Sequence, residues 1–182
     1  MKGIKQLLPW RNTSLLGYAI KQSLQSETDA VLLVLGANKD IILSSVETSE
    51  TTIVINNDWS LGMGTSIAAA IRYIESNKLD FDAVLIRLID QPLLSVEHYN
   101  KLINTYTESK YIISTSYRSG GGVPVIVDRK HFDELMALAS DKGAKEIINN
   151  HKNIVTKIDS KGRNIDLDDY ETYLSYFDAQ GK

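Results

Sequence analysis

The sequence predicts an α/β protein with a mostly parallel sheet, on two observations. Short apolar runs rich in β-branched residues, "DAVLLVLG" (29–36), "TTIVIN" (51–56) and "DAVLIRLID" (82–90), have the length and composition of buried parallel strands. The segments between them carry helical periodicity, which makes a succession of strand, crossover helix and strand. Residues 14–25 place Leu15, Leu16, Ala19 and Ile20 on one face, and residues 64–76 do the same with Ile67, Ile71 and Ile74. After residue 110 the rhythm changes. "YIISTSY" and "VPVIVD" read as two strands joined by the Gly-rich connection "RSGGG", followed by helices at 130–139 and 143–150. The strand "NIVTKID" and a helix starting near Leu167 complete the pattern. No repeat, linker or low-complexity tract interrupts the 182 residues, so a single domain over 1–182 is expected.

Composition narrows the partners. The net charge is -3, from 20 basic and 23 acidic residues with no Lys/Arg-rich block, which points away from nucleic acid and from anionic membranes. A small molecule is the expected partner. There are no cysteines, so disulfides, thiolate metal sites and cysteine nucleophiles are excluded. The longest apolar runs are strand-sized and no signal-like stretch follows the first basic residues, so a cytoplasmic protein is expected.

In open α/β sheets ligands bind at the carboxyl ends of strands, which directs attention to residues 56–66, 90–92, 117–124 and 164–166. Asp90 in "LIDQP" is placed to hold Mg²⁺ beside phosphate oxygens, or to serve as a turn aspartate ahead of Pro92 with Ser95 capping the next helix. "NNDWSLGMGTS" leaves a strand and opens a helix, so its backbone N–H groups suit an anion or a base edge; an ordinary glycine loop capped by Thr65 or Ser66 fits as well. Lys5 is a phosphate ligand or a solvated lysine, and "GGGVPV" is a ligand-facing backbone or a flexible hairpin. "DKGAK" reads as a helix start, with Asp141 as the cap and Lys145 in the first turn, where the helix dipole does not complement it. Asp166, Asp168 and Asp169 precede a helix and are as consistent with serving its dipole. His98, His131 and His151 lie in no metal-binding or triad-like spacing and read as surface or core residues.

Taken in order, "KQLLPW", "VLG", "NDWSLGMGTSI", "LIDQPLL", "GGGVPVIV", "SDKGAKEI" and "NID" resemble the molybdenum cofactor cytidylyltransferases, within the wider MobA-like nucleotidyltransferase group. The combination of "GMGTS" with "DQP" favours the cytidylyl over the guanylyl branch. The resemblance implies a three-layer, Rossmann-like nucleotide-diphospho-sugar transferase fold with a mostly parallel mixed sheet. It implies transfer of CMP from CTP to molybdopterin, with Asp90 and Asp166 holding Mg²⁺ and Lys5 neutralising the triphosphate. Asn57, Gly62, Gly64, Thr65 and Ser66 are implied at the base and ribose, and Tyr117, Gly122 and Pro124 on the pterin side, bordered by Asp141 and Lys145. A molybdenum hydroxylase or its chaperone is the implied protein partner.

Three departures from the family pattern accompany the match. A strand and a loop of the form LAAGxSxRMG are expected ahead of "KQLLPW", and here Met1 falls where the Met of that loop belongs. A start assigned too far downstream, or a truncated paralogue, accounts for this. Bulky Ile89 stands before the aspartate of "DQP", and the ending is "NIDLDDY", with Asn164 where an acid is common and Asp166 as the remaining metal ligand. Two alternatives stand beside cytidylyl transfer: a non-catalytic paralogue or chaperone that binds pterin or nucleotide, and transfer to another phosphorylated acceptor.

Overall fold

The computed structural model describes residues 3–139, 141 and 143–182. A two-stranded hairpin, β1 (Pro9–Trp10) and β2 (Thr13–Ser14), leads into α1 (Leu15–Leu24), whose first turn is closed by Ser14 Oγ accepting from the Gly17 N–H at 3.1 Å. β3 (Leu32–Leu35), α2 (Lys39–Ser45) and β4 (Thr52–Ile55) follow, with β3 and β4 paired in parallel. Next come α3 (Met63–Ser76), β5 (Ala83–Ile86) and α4 (Val96–Ser109). The chain ends with β6 (Ile112–Tyr117), β7 (Gly120–Asp128), α5 (Phe132–Met136), α6 (Lys145–Asn150), β8 (Val155–Ile158) and α7 (Tyr170–Tyr176).

The larger sheet has the order β5-β7-β6-β8. β7 is antiparallel to both β5 and β6, while β6 and β8 are parallel, so β5, β6 and β8 run one way and β7 alone runs back. Their carboxyl ends therefore open on one edge. The architecture is α/β with a mixed sheet, as expected. Period-two burial decides which helix packs where. Ile112, Val125 and Val127 face a core built with α3, α5 and α6, through Ile67, Ile71, Leu135 and Ile147 among others. Ile113 and Ile126 face the other way, onto Leu102 and Tyr106 of α4. The β3–β4 pair is covered by Leu16, Ile20 and Ile42 of α1 and α2.

Several boundaries differ from the sequence reading, each for a local reason. The third apolar run stops being a strand at Ile86, because Arg87 turns into α1 and the chain then makes a turn through Asp90. The "GGG" stretch is not a connection: the turn is Arg118–Ser119, and all three glycines lie inside β7, paired with β6. The last helix begins at Tyr170 and not near Leu167, because Asp169 caps it through the Thr172 N–H and Leu167 is instead fully buried. Strands expected to be buried on both faces are half-buried over most of β3 and all of β5. Among the described residues each has a strand partner on one edge only.

Arg87, which the sequence reading passed over, is a cation held between β5 and α1. Its guanidinium lies 4.5 Å over the Tyr99 ring and donates to the Ala19 carbonyl at 3.0 Å, to Ser23 Oγ at 3.3 Å and to Gln22 Oε1 at 3.3 Å. Burial holds its pKa below the ordinary arginine value, with no carboxylate paired to it among the described residues. It fastens β5 to α1 through hydrogen bonds and ring contact alone. Arg87→Ala, which opens a cavity and strips Gln22 and Ser23 of a donor, is expected to lower unfolding free energy by about 2–4 kcal/mol in urea titration. Arg87→Met keeps the volume and removes the charge, so it is expected to cost less than half as much. Equal losses in the two variants would mean that packing volume is not what the arginine supplies.

Candidate active site

Three of the four strand-end segments singled out in the sequence meet on one edge of the sheet. Asp90 follows β5, Tyr117 ends β6, and Asp166 lies on the segment that leaves β8. The Leu167 N–H donates to the Asp90 carbonyl at 2.9 Å, which lays the segment 164–168 against the turn after β5. Along it, Ile165 and Leu167 pack into the cluster of Trp10, Leu15 and Tyr173. Their alternates, Asn164, Asp166 and Asp168, make the polar contacts.

Lys5, from the turn Lys5–Leu7, donates to Asp90 Oδ2 at 2.8 Å and to Asp168 Oδ1 at 3.0 Å. Burial alone would lower the lysine pKa, but the hydrogen bonds and charges of the two aspartates outweigh it and hold the ammonium above its ordinary value. Gln91 Nε2 donates to Asp166 Oδ1 at 2.7 Å and to the Tyr117 hydroxyl at 2.6 Å, and that hydroxyl donates to the Val123 carbonyl at 2.6 Å. Burial pushes the Tyr117 phenol up to about 12, with the Asp166 charge adding to it. Asp166 itself is raised above the usual carboxylate range, first by burial and then by the charges of Asp90 and Asp168. The site thus holds more negative charge than one lysine offsets.

A divalent ion fits this donor set. Asp90 Oδ1 is buried without a hydrogen-bond partner, beside a second carboxylate whose pKa is raised by burial and then by its neighbours' charge. Hard oxygen donors with an unsatisfied lone pair suit Mg²⁺ or Mn²⁺.

The other candidates are placed less directly. Asn57 is exposed, and it is the preceding Asn56 that organises the glycine loop. Asn56 Nδ2 donates to Thr65 Oγ1 at 2.9 Å and to Ser66 Oγ at 3.0 Å, and its Oδ1 accepts from the Asp58 N–H at 2.9 Å. Thr65 Oγ1 in turn donates to the Asp58 and Gly62 carbonyls, so it does not cap α3; that position is held by Gly62 at φ +120°, a backbone few side chains tolerate. Gly64 is buried in the first turn of the helix. Gly122 is required by Tyr117, because a Cβ there would come within 2.7 Å of the phenol ring. Pro124 is buried, and its carbonyl accepts from Thr115 Oγ1 at 3.0 Å. Asp141 is exposed and does not cap α6, whose cap position is Ala144; Lys145 opens that helix and is exposed.

Sequence reasoning passed over Gln91, Asn56 and the part Asp168 plays. The alternation in "NIDLD" carried a signal for Asp168, since it sets that residue on the same side as Asp166. The histidines also depart from expectation, because His131 and His151 both contact Glu134.

Carboxylates gathered at the carboxyl edge of a sheet, with one lysine held between two of them, suit a ligand that brings phosphates and a metal together. That places the protein among the nucleotide-handling α/β proteins. Comparison with known proteins makes the class specific: the MobA-like NTP transferase domain matches residues 1–154, and the chain belongs to this family of nucleotidyltransferases. It is 29% identical over 177 residues to the nicotine blue oxidoreductase of Paenarthrobacter nicotinovorans, covering 91% of this chain and 84% of that protein. It is 26% identical over 180 residues to the purine catabolism protein PucB of Bacillus subtilis, covering 93% and 85%. Among solved structures, Rv0371c of Mycobacterium tuberculosis superposes with a TM-score of 0.85 at 24% identity, over 98% of this chain and 90% of that one. A nucleotidyl transferase from Methanothermobacter superposes with a TM-score of 0.78 at 14% identity, over 96% and 84%. No helix among the described residues is long and apolar enough to cross a membrane.

The raised pKa of Asp166 has a signed consequence for stability. Its charged form is disfavoured in the fold, so the cost is absent below the ordinary carboxylate value of 3.8 and grows as pH rises through the higher folded value. Asp166→Asn, which still accepts from Gln91, is expected to raise the melting temperature in EDTA at pH 7 by about 1–3 °C. The gain should vanish near pH 3.5, below about the unfolded carboxylate pKa. A rise of the same size at both pH values would refute the charge argument.

Proposed function

We propose that this protein is a cytoplasmic, single-domain cytidylyltransferase that transfers CMP from CTP to the terminal phosphate of molybdopterin or its molybdenum-loaded form. A phosphate oxygen of the acceptor attacks the α-phosphorus of CTP, the bond to the β-phosphate breaks, and pyrophosphate leaves. The observation that carries the reading is the cluster of Asp90, Asp166 and Asp168 around Lys5, with one Asp90 oxygen unpartnered. Membership in a nucleotidyltransferase family supports it, and Rv0371c has been crystallised with manganese, which supports a divalent ion.

In this reading Asp90 and Asp166 hold Mg²⁺, which when bound supplies charge neutralisation at the phosphates. Lys5 exchanges its aspartate partners for phosphate oxygens as the nucleotide arrives. Gln91 keeps Asp166 oriented and ties it to Tyr117, on the side proposed for the pterin along with Gly122 and Pro124. Asn57 and the loop through Gly62, Gly64, Thr65 and Ser66 line the base and ribose, and Asp141 and Lys145 border the acceptor pocket. Because phosphates furnish both nucleophile and leaving group, catalysis rests on positioning and charge. A molybdenum hydroxylase or its chaperone would receive the product.

Two measurements test this. Asp90→Asn is expected to lower turnover on the order of 10²-fold or more with the fold intact by circular dichroism; near-normal activity at saturating Mg²⁺ would return Asp90 to a turn residue. Comparison of kcat/KM for CTP and GTP with molybdopterin as acceptor is expected to favour CTP, since a pocket shaped for a pyrimidine excludes a purine without backbone movement. A clear GTP preference would move the protein to the guanylyl branch, and turnover with neither would leave a binding role.

A further inference from the structure

A second group of potential ligands lies on other elements, outside the acidic cluster. His131 ends the turn that opens α5, Glu134 sits within α5, and His151 follows α6. His131 Nδ1 is 2.8 Å from Glu134 Oε1, and His151 Nε2 is 2.9 Å and 2.8 Å from the two Glu134 oxygens. The two imidazole rings are 4.3 Å apart between centroids, and one ligand atom from each of the three side chains lies within 4.8 Å of the others. The His131 side chain is only 8% exposed, and its Nε2 has no partner. The ring is therefore held through the one nitrogen that faces Glu134.

We propose that His131, Glu134 and His151 form a binding site for one Zn²⁺-class transition-metal ion, separate from the carboxylate site at Asp90. Two imidazole nitrogens and one carboxylate are the donor set of Zn²⁺ sites that leave a fourth position to water, and imidazole selects such ions over Mg²⁺. Donors bound at about 2.0–2.1 Å around a tetrahedral ion stand about 3.4 Å from one another, so the two imidazole–carboxylate contacts open by about half an ångström when the ion enters. Neutral rings carry this out by moving each proton to the opposite nitrogen, leaving three lone pairs on the ion. Charge alone does not explain the pairing, because two imidazolium rings at this separation would repel each other.

The ion would have a mechanical effect. Glu134 lies within α5 and His151 just past α6, with Asp141, Gly143 and Lys145 between them in sequence, and a Cβ at Gly143 would lie 3.3 Å from Met63 Sδ. Cross-linking α5 to the residue that follows α6 ties these two elements together, and such binding energy appears as folding stability. None of this uses the carboxylates of the first site.

The test is a calorimetric titration of Zn²⁺ alone into the EDTA-stripped, dialysed protein, with a parallel Co²⁺ titration followed by visible absorption. The expected result is one tight site per chain that excess Mg²⁺ does not fill, a raised melting temperature, and at least a tenfold weaker affinity at that site in His151→Gln and in Glu134→Gln. Asp90→Asn combined with Asp166→Asn should bind Zn²⁺ as the wild type does, and excess Mg²⁺ should not displace it. Glu134 is the more exposed of the ligands, so its isosteric variant serves where a histidine variant does not fold. Wild-type protein with no saturable Zn²⁺ site would overturn the proposal. So would binding that survives in Glu134→Gln and His151→Gln but is lost in the aspartate double variant, since the ion would then belong to the acidic cluster.

Discussion

The hydrogen bond from the Leu167 N–H to the Asp90 carbonyl is the constraint on which the site depends. With the Gln91–Asp166 bond and the Lys5 bridge from Asp90 to Asp168, it lays the segment after β8 beside the turn after β5 and joins the two halves of the acidic cluster. The bond is sheltered because Leu167 is fully buried with Trp10 and Leu15, so apolar packing fixes the polar geometry. The same cluster ties in both ends of the chain: Trp10 comes from β1, Tyr173 from α7, and the Tyr173 hydroxyl donates to the Pro9 carbonyl at 2.7 Å. Lys5, just ahead of this hairpin, is carried to Asp90 and Asp168 by it. A local alternation of apolar and polar residues is thereby turned into a functional arrangement.

How far this was legible in the sequence follows from the range of the interactions. The positions of α1 and α3 were readable because Leu15, Leu16, Ala19, Ile67 and Ile71 report a period that each helix satisfies within itself. Asp90 and Asp166 were reached through motif order, and their meeting follows once β5 and β8 are known to run the same way. Gln91 was not legible, because its role depends on Tyr117 and Asp166, 26 and 75 residues away. The grouping of His131 with His151 was hidden likewise, since it needs the residue after α6 to meet Glu134 of α5, 17 residues away. The glycines of β7 misled in the opposite sense: composition suggests a loose turn, whereas pairing with β6 holds them as strand and Gly122 makes room for the Tyr117 ring.

The two buried cationic arrangements solve opposite problems. Arg87 is a charge with too few anions, accommodated by carbonyl, amide and hydroxyl oxygens and by the face of Tyr99, so it acts as a structural fastener. At the acidic cluster anions outnumber the cation, and Asp90 Oδ1 and Gln91 Oε1 remain buried without partners. Unsatisfied buried acceptors of this kind cost stability and are retained where a ligand satisfies them. Arg87 Nε is likewise buried without a partner, so the contrast between fastener and site is one of charge balance, too few anions at the first and too many at the second.

The glycine loop shows how polar side chains can be committed to the shape of a turn. Asn56 is buried and engages Thr65, Ser66 and the Asp58 N–H, while the Thr65 hydroxyl directs its one hydrogen at the Asp58 and Gly62 carbonyls. A hydroxyl with one hydrogen shared between two carbonyls has none left to give a ligand. The loop is thus held by an asparagine whose own N–H donates to the Leu35 carbonyl of β3 at 2.8 Å, while the Trp59, Leu61 and Met63 side chains are left exposed. Asn56 is thus a positioning residue whose loss would loosen the turn before it removed any contact to ligand.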